Sequence, residues 1–315
     1  MAASKGCDGS LKTIWQFIRK NFLLCSGLFI FIWMLWIAFF GELLPFVDGN
    51  LEELKYLNVD GALYAPPLEP SKDYWFGTDR DGRDIFSLIV MGARETLIIV
   101  MIVTLLRYLF ATILSYLAHK RIIGIGTLIK GLNAFLSYVP TVIIVVMFAV
   151  LPPILFSEMR PYWLIIIIAM VEVGRVASTM KDDFDEIAMK EFIISGHAIG
   201  VGPVRMLRSY YFPFLYEKLS VYIITDLGKV MFLLGQLGII DIFISQTLIQ
   251  AEIGIFEIRN ESISWPMLLS NAYKDIRGPV WIPFFPALAM TFTILTFNMI
   301  AQGIKQVSKR KNVYL

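Results

Sequence analysis

Charge is what this sequence is short of. Asp, Glu, Lys and Arg make up 17% of its 315 residues, against about 25% in soluble domains. In residues 21–41, 131–157 and 279–304 all four are missing. Each stretch is long enough for a membrane-crossing helix, which needs about 20 mostly apolar residues. Cysteine is nearly absent as well: Cys7 and Cys25 cannot build a disulfide framework. Leu24 before Cys25 is too large for the usual lipoprotein cleavage site. The first apolar run is too long for a signal-peptide core, and no small-residue cleavage pattern ends it, so it reads as a retained span.

Histidine occurs twice, as His119 and His197. Neither belongs to a His or Cys cluster, which tilts against a transition-metal path lined by this chain. The sequence holds no H-E-x-x-H, no G-x-S-x-G and no glycine-rich dinucleotide loop, so no enzyme is expected. It also lacks G-x-x-x-x-G-K-[ST], the loop that cradles ATP phosphates. No cofactor is expected on this chain, and no metal site or nucleic-acid partner.

What is present is apolar: 57% of residues are hydrophobic. Three further stretches complete a set of six. Residues 88–117 contain Arg94, Glu95 and Arg107, residues 162–180 contain Glu172 and Arg175, and residues 214–244 contain Glu217, Lys218, Asp226, Lys229 and Asp241. The expected fold is an all-α polytopic membrane protein with six transmembrane helices. Orientation follows from the positive-inside rule. Lys5, Lys12, Arg19 and Lys20 fall on the N-terminal side, and Lys120, Arg121, Lys130, Lys181, Lys190, Arg205 and Arg208 share it if both ends are cytoplasmic. The expected organisation is a cytoplasmic segment 1–20, a first span 21–41, an extracellular segment 42–87 and a five-helix core 88–304. A cytoplasmic tail, 305–315, follows.

The core contains an unusual cytoplasmic loop, residues 181–213. Its stretch "EFIISGHAIGVGPVRMLRSYYFPFL" is basic and broken by glycine. Asp182, Asp183, Asp185 and Glu186 suit a helix N-terminal end. Gly200-Val201-Gly202 ends one helix, Pro203 suits the first turn of another, and Pro213 closes that one. A helix–turn–helix at the inner membrane face is expected, either a connector or a docking element. In the second case Phe192, Ile199 and Met206 would face a groove on the partner.

Charges within spans normally face protein or water, because placing one at the bilayer centre costs about 2.5–3.5 kcal/mol. Glu172 and Arg175 are spaced to meet on one helix face, as are Asp226 and Lys229. Arg107 has no local partner and needs one from another helix. These five are candidate pathway residues, with neutralised packing pairs as the alternative. Outside the spans, residues 245–278 form a long extracellular insert whose Leu248, Ile249, Ile253, Ile255, Phe256 and Ile258 are too apolar for a free loop.

Two motifs carry a family resemblance. Glu191, Gly200 and Pro213 have the spacing of the cytoplasmic E-A-A loop of ABC-importer permeases, with Ser195 and Gly196 in the places of its two alanines. "FGTDRDGRDIFSLIVMGARETL" resembles the signature before the second span in the dipeptide/oligopeptide/nickel branch. Phe76, Gly77, Thr78, Asp79, Gly82, Arg83 and Asp84 all match it, while Leu88 stands where a basic residue is common. Trp265, Met267, Leu268, Trp281, Pro286, Phe297 and Asn298 match the family's last outer stretch and last span, with Pro266 and Ala287 in place of glycines. The chain is most similar to the C-type permease of the pair.

The resemblance implies a type I importer permease fold and a non-catalytic role. Glu191, Ser195, Gly196, Gly200, Arg205 and Pro213 would form a coupling element seated in a cytoplasmic ATPase. Its expected partners are a second homologous permease, two ATPase subunits holding ATP and Mg, an extracellular substrate-binding (lipo)protein and membrane lipids. The expected cargo is a di- or oligopeptide, with a nickel or metal chelate as the alternative. Read from the residues alone, Asp79, Arg83 and Asp84 are a turn fixing entry into span two, or else a ligand site. A stand-alone secondary transporter or a non-transporting sensor or scaffold is the competing class, and no inverted repeat supports the former.

Overall fold

The structure, a computed structural model, describes residues 18–53, 56–59, 62–122, 124–242, 244, 246–252, 255–260 and 262–312. Among these, four helical segments are long and apolar enough to cross a membrane: Phe22–Leu43, Ile85–His119, Pro203–Ile239 and Trp281–Arg310. The pair Arg160–Val171 and Val173–Ala188, bent by 41°, makes a fifth if taken as one span.

The helices that position the site are α1 (Phe22–Phe40), α2 (Ile85–His119), α3 (Ile125–Tyr138), α4 (Thr141–Ala149), α5 (Pro152–Leu155), α6 (Arg160–Val171) and α7 (Val173–Ala188). They are followed by α8 (Glu191–Ala198), α9 (Pro203–Met206), a π turn over Leu207–Tyr211 and α10 (Phe212–Ile239). Short helices α11 (Trp265–Leu268) and α12 (Ala272–Asp275) precede α13 (Trp281–Asn312).

One expectation is corrected. The uncharged run 131–157 is not one helix: α3 starts before it and ends at Tyr138, and α4 resumes after Pro140. Proline has no N–H for the helical ladder and pushes the residue before it away from helical angles. Pro152 then starts α5 as a separate turn. The fold is helical as expected, with two short hairpins beside the helices. Leu57–Val59 (β1) pairs antiparallel with Ala62–Tyr64 (β2), and Gln246–Glu252 (β3) with Ile255–Asn260 (β4). The second hairpin holds much of the apolar insert, whose β-branched and aromatic residues favour strands. Ile253 lies outside the described residues, as do the side chains of Leu248, Ile249, Ile255, Phe256 and Ile258, so their burial is not described.

The core sits where α2, α4, α6, α10 and α13 converge, with Val100, Val103, Val145, Ile168, Val230 and Phe297 inside it. Against it α1 lies as an outer helix that is apolar all round, with only Gly27 and Ala38 buried. Small residues allow it to close on α13, as in other helix pairs within membranes. A Cβ on Gly303 would stand 2.7 Å from the Leu24 backbone, and one on Gly27 would stand 2.9 Å from Ile300. Gly303→Leu should therefore destabilise the protein by about 1–3 kcal/mol through overpacking, although leucine is the better helix former. The midpoint of thermal aggregation in detergent reads this directly. An unchanged midpoint would show that α1 is not held at this contact.

Candidate functional site

The loop between α7 and α10 folds largely as its glycines and prolines dictate. Gly200, at φ +74°, donates its N–H to the His197 carbonyl, and Val201 donates to that of Gly196. These two bonds satisfy carbonyls that the end of α8 leaves open, and they require a left-handed residue at the turn. No other group lies within 4 Å of a Cβ built on Gly200, so its backbone angle, not crowding, calls for glycine. Gly196 differs. A Cβ there would meet Met206 and Tyr210 at 3.0 Å, so α8 rests closely on the following segment.

Pro213 does not close a helix, contrary to expectation. The chain from Pro203 to Ile239 runs on as a helical rod, and the π turn just before Phe212 resets the hydrogen-bond ladder. Pro213 then falls in the first turn of α10, where its missing N–H costs nothing. Met206 is also misplaced by the sequence reading. It is 1% exposed, packed with Phe184, Ile187, Ile193, Tyr211 and Leu215, whereas Ile199 is 75% exposed. Phe192 is half-buried and stacks on Phe214. The face left open consists of Met189, Ile194, Ile199 and Val204, with Glu191, Ser195, Arg205 and Arg208 around it.

Groups far apart along the chain fix this loop to the bundle. His119, at the end of α2, bonds Asp185 of α7 at 2.6 Å and the Tyr211 hydroxyl at 3.1 Å. Lys181 adds a 2.5 Å contact to Asp185. From α10, Lys218 bridges Asp183 at 2.7 Å and Glu186 at 2.8 Å. The exposed loop is thus tied to α2, α7 and α10 at once.

Deeper in the bundle Arg107 finds its partner. It donates to Asp226 of α10 at 2.8 Å and to the Ile168 carbonyl at 2.8 Å, and more weakly to that of Ala169 at 3.3 Å. The expected Asp226–Lys229 pair is therefore corrected: Asp226 turns inward to Arg107, and Lys229 is exposed. The two accepting carbonyls lie in the last turn of α6, where the chain bends and the Glu172 N–H reaches the Met170 carbonyl instead. A cation there meets these carbonyls and the negative end of the helix dipole. Glu172 and Arg175 do pair, at 3.1 Å, as their spacing predicts. The Thr141 hydroxyl also bonds Glu172, and Arg175 donates to the Leu136 carbonyl at 3.0 Å.

The signature before α2 forms a turn. Asp84 caps α2, accepting from the Ser87 N–H at 2.9 Å and hydroxyl at 2.6 Å. Asp79 accepts from the Arg83 N–H at 2.8 Å and Nε at 2.9 Å. Burial pushes the Asp79 carboxyl up, against the pull of Arg83. Gly77 and Gly82 have φ +76° and +83°, Thr78 bonds the Leu68 backbone, and Phe76 stacks on Phe285 at 4.0 Å. Arg80 pairs with the buried Asp275 of α12. These contacts account for the signature as the brace of the N-terminal end of α2.

A second close fit lies beside it. The strand of chain at 262–266 is wedged between α2 and α10. A Cβ on Gly92 would stand 2.2 Å from the Ile263 carbonyl oxygen, and one on Gly238 would stand 2.1 Å from that of Pro266. Trp265 there donates its N–H to Thr96 at 2.9 Å and its indole Nε1 to the Ile89 carbonyl at 2.8 Å.

The fold defines a polytopic helical membrane protein, and its braced loop leaves an apolar and basic face exposed. Comparison with known proteins narrows the class. The chain is 26% identical over 294 residues to the dipeptide transport system permease protein DppC of Bacillus subtilis, covering 92% of this chain and 82% of that protein. It is 25% identical over 290 residues to the oligopeptide transport system permease protein OppC of the same organism, covering 91% and 85%. It is also 22% identical over 304 residues to the glutathione transport system permease protein of Pectobacterium atrosepticum, covering 95% and 91%. No protein-family model matches the chain. The resemblance to C-type permeases of peptide transport systems holds along nearly the whole chain.

Proposed function

We propose that the chain is a permease subunit of an ATP-driven peptide importer. It forms half of a translocation pathway for di- or oligopeptides delivered by an extracellular binding protein. The observation that carries this reading is the loop turned at Gly200, which projects an apolar and basic face from the bundle while anchored to α2, α7 and α10. Such a face suits a groove on a cytoplasmic ATPase, and the chain itself has no phosphate-cradling loop. The relatives' names supply the cargo, since they are dipeptide, oligopeptide and glutathione systems. This favours peptides over a nickel chelate.

In this reading Glu191, Ser195, Gly196, Gly200, Arg205 and Pro213 belong to the coupling element. ATP and Mg reside on two partner ATPases, and a second permease completes the pathway. The subunit sits in the plasma membrane in a type I importer fold, with the broken α3–α4 segment as one of six spans and both ends in the cytoplasm. The test is co-expression with candidate ATPases, a second permease and a binding protein, followed by uptake of radiolabelled di- and oligopeptides into vesicles. ATP-dependent uptake that requires this chain is expected. Uptake driven by an ion gradient without ATP, or none, would refute the proposal.

A further inference from the structure

On α10, Thr225, Lys229 and Gln236 recur at i, i+4 and i+11, which places all three on one helix face, while Tyr222 one turn earlier packs against the cluster of Tyr108, Ile129 and Val173. None of the three is buried. The helix rises about 25 Å from Phe212 to Lys229 and about 15 Å more to Ile239. A lysine stem is too short to bring the ammonium to either surface from there. A polar stripe with a cation at this depth does not face lipid; it faces protein or water. Asp226, three residues earlier, is engaged by Arg107, and Lys229 forms no ion pair among the described residues.

We infer that this stripe lines the translocation pathway and that Lys229 is the group in it that meets the C-terminal carboxylate of a passing peptide. The inference rests on the peptide-import reading above. A peptide's α-carboxyl ionises at about pH 3.3–3.7, so at neutral pH each free peptide carries this anion whatever its side chains. An ammonium is a point charge with three rotatable donors, so it accepts a carboxylate from many directions. That tolerance suits cargo of varied sequence. Arg107 is unsuited to the same task, because its guanidinium is buried and occupied by Asp226 and two carbonyls. Lys229 thus sets a preference for a free C-terminus at the membrane step, independent of any preference of the binding protein.

The test uses the full complex in vesicles, with saturating binding protein preloaded with one peptide, either free or C-terminally amidated. Saturation removes capture by the binding protein from the comparison. Transport of the free form is expected to exceed that of the amidated form by about tenfold, the size of one hydrogen bond to a charged group. In Lys229→Gln the ratio should fall to about one, while Lys229→Arg should retain it, since both charge and donors survive. Lys229→Met replaces the glutamine variant if that one does not accumulate. Equal rates in the wild type, or an undiminished ratio in the neutral variant, would overturn the inference. Failure of the wild-type complex to import either peptide would instead overturn the import reading, and this inference with it.

Discussion

Replacing Gly200 with valine is expected to leave the chain in the membrane while separating peptide transport from ATP hydrolysis. Gly200 occupies the left-handed region, and its N–H and that of Val201 close the end of α8. An L-residue at those angles costs about 1–2 kcal/mol, and a β-branched one is a clear outlier there. The loop's native arrangement should lose about five- to thirty-fold in population. The rest of the fold is spared, because no neighbour crowds the position. Gly200→Asn is the control, since asparagine visits left-handed angles far more readily. Paired assays in reconstituted vesicles decide the matter: ATPase co-purification, and hydrolysis stimulated by loaded binding protein. Valine should lower one or both by about tenfold or more while asparagine stays near wild type. Normal values for the valine variant, correctly inserted, would reduce the stretch to a connector.

The second large effect is expected at Arg107 and Asp226. Removing one member of a buried pair leaves the other uncompensated and costs about 3–5 kcal/mol. Asp226→Leu should therefore sharply reduce accumulation of folded protein, read by size-exclusion chromatography of the detergent extract. Arg107→Met should be comparably severe, because it also strips the Ile168 and Ala169 carbonyls of a donor. The double variant removes both charges, and replacing a whole buried pair by apolar residues is often close to neutral. It should recover much of the lost protein. Recovery of folding together with transport marks the pair as a brace for the bend between α6 and α7. Recovery of folding without transport would place the pair in the pathway instead.

The contrast between these two sites shows what the sequence could convey. The Gly200 turn was legible because its chemistry is local: a glycine between two helical patterns, followed by a proline. So was Glu172–Arg175, whose partners lie one helical turn apart. Arg107 and Asp226 are separated by 119 positions. Only the packing of α2 on α10 joins them, so Lys229, being near in sequence, looked like the better partner. His119 and Lys218 were missed for the same reason. Pro140 and Pro213 carry the same local signal, yet one breaks a helix and the other does not. What separates them is the π turn over Leu207–Tyr211, which shifts the ladder ahead of Pro213. The burial of Met206 is not legible because a short helical stripe does not reveal which of its sides the bundle will cover.

The wedge at 262–266 bears on how the spans can move. Backbone, not side chain, separates α2 from α10 at Gly92 and Gly238. A peptide plane cannot switch rotamer, so it offers no slack to either helix. Held at Gly238, α10 is a lever about 39 Å long that reaches to Phe212. Tilting it by about 5° would carry its far end through about 3 Å, given that length. A stroke applied at the loop turned by Gly200 is then largest where it is delivered and vanishes at the opposite surface, so the two ends of the pathway need not move in step.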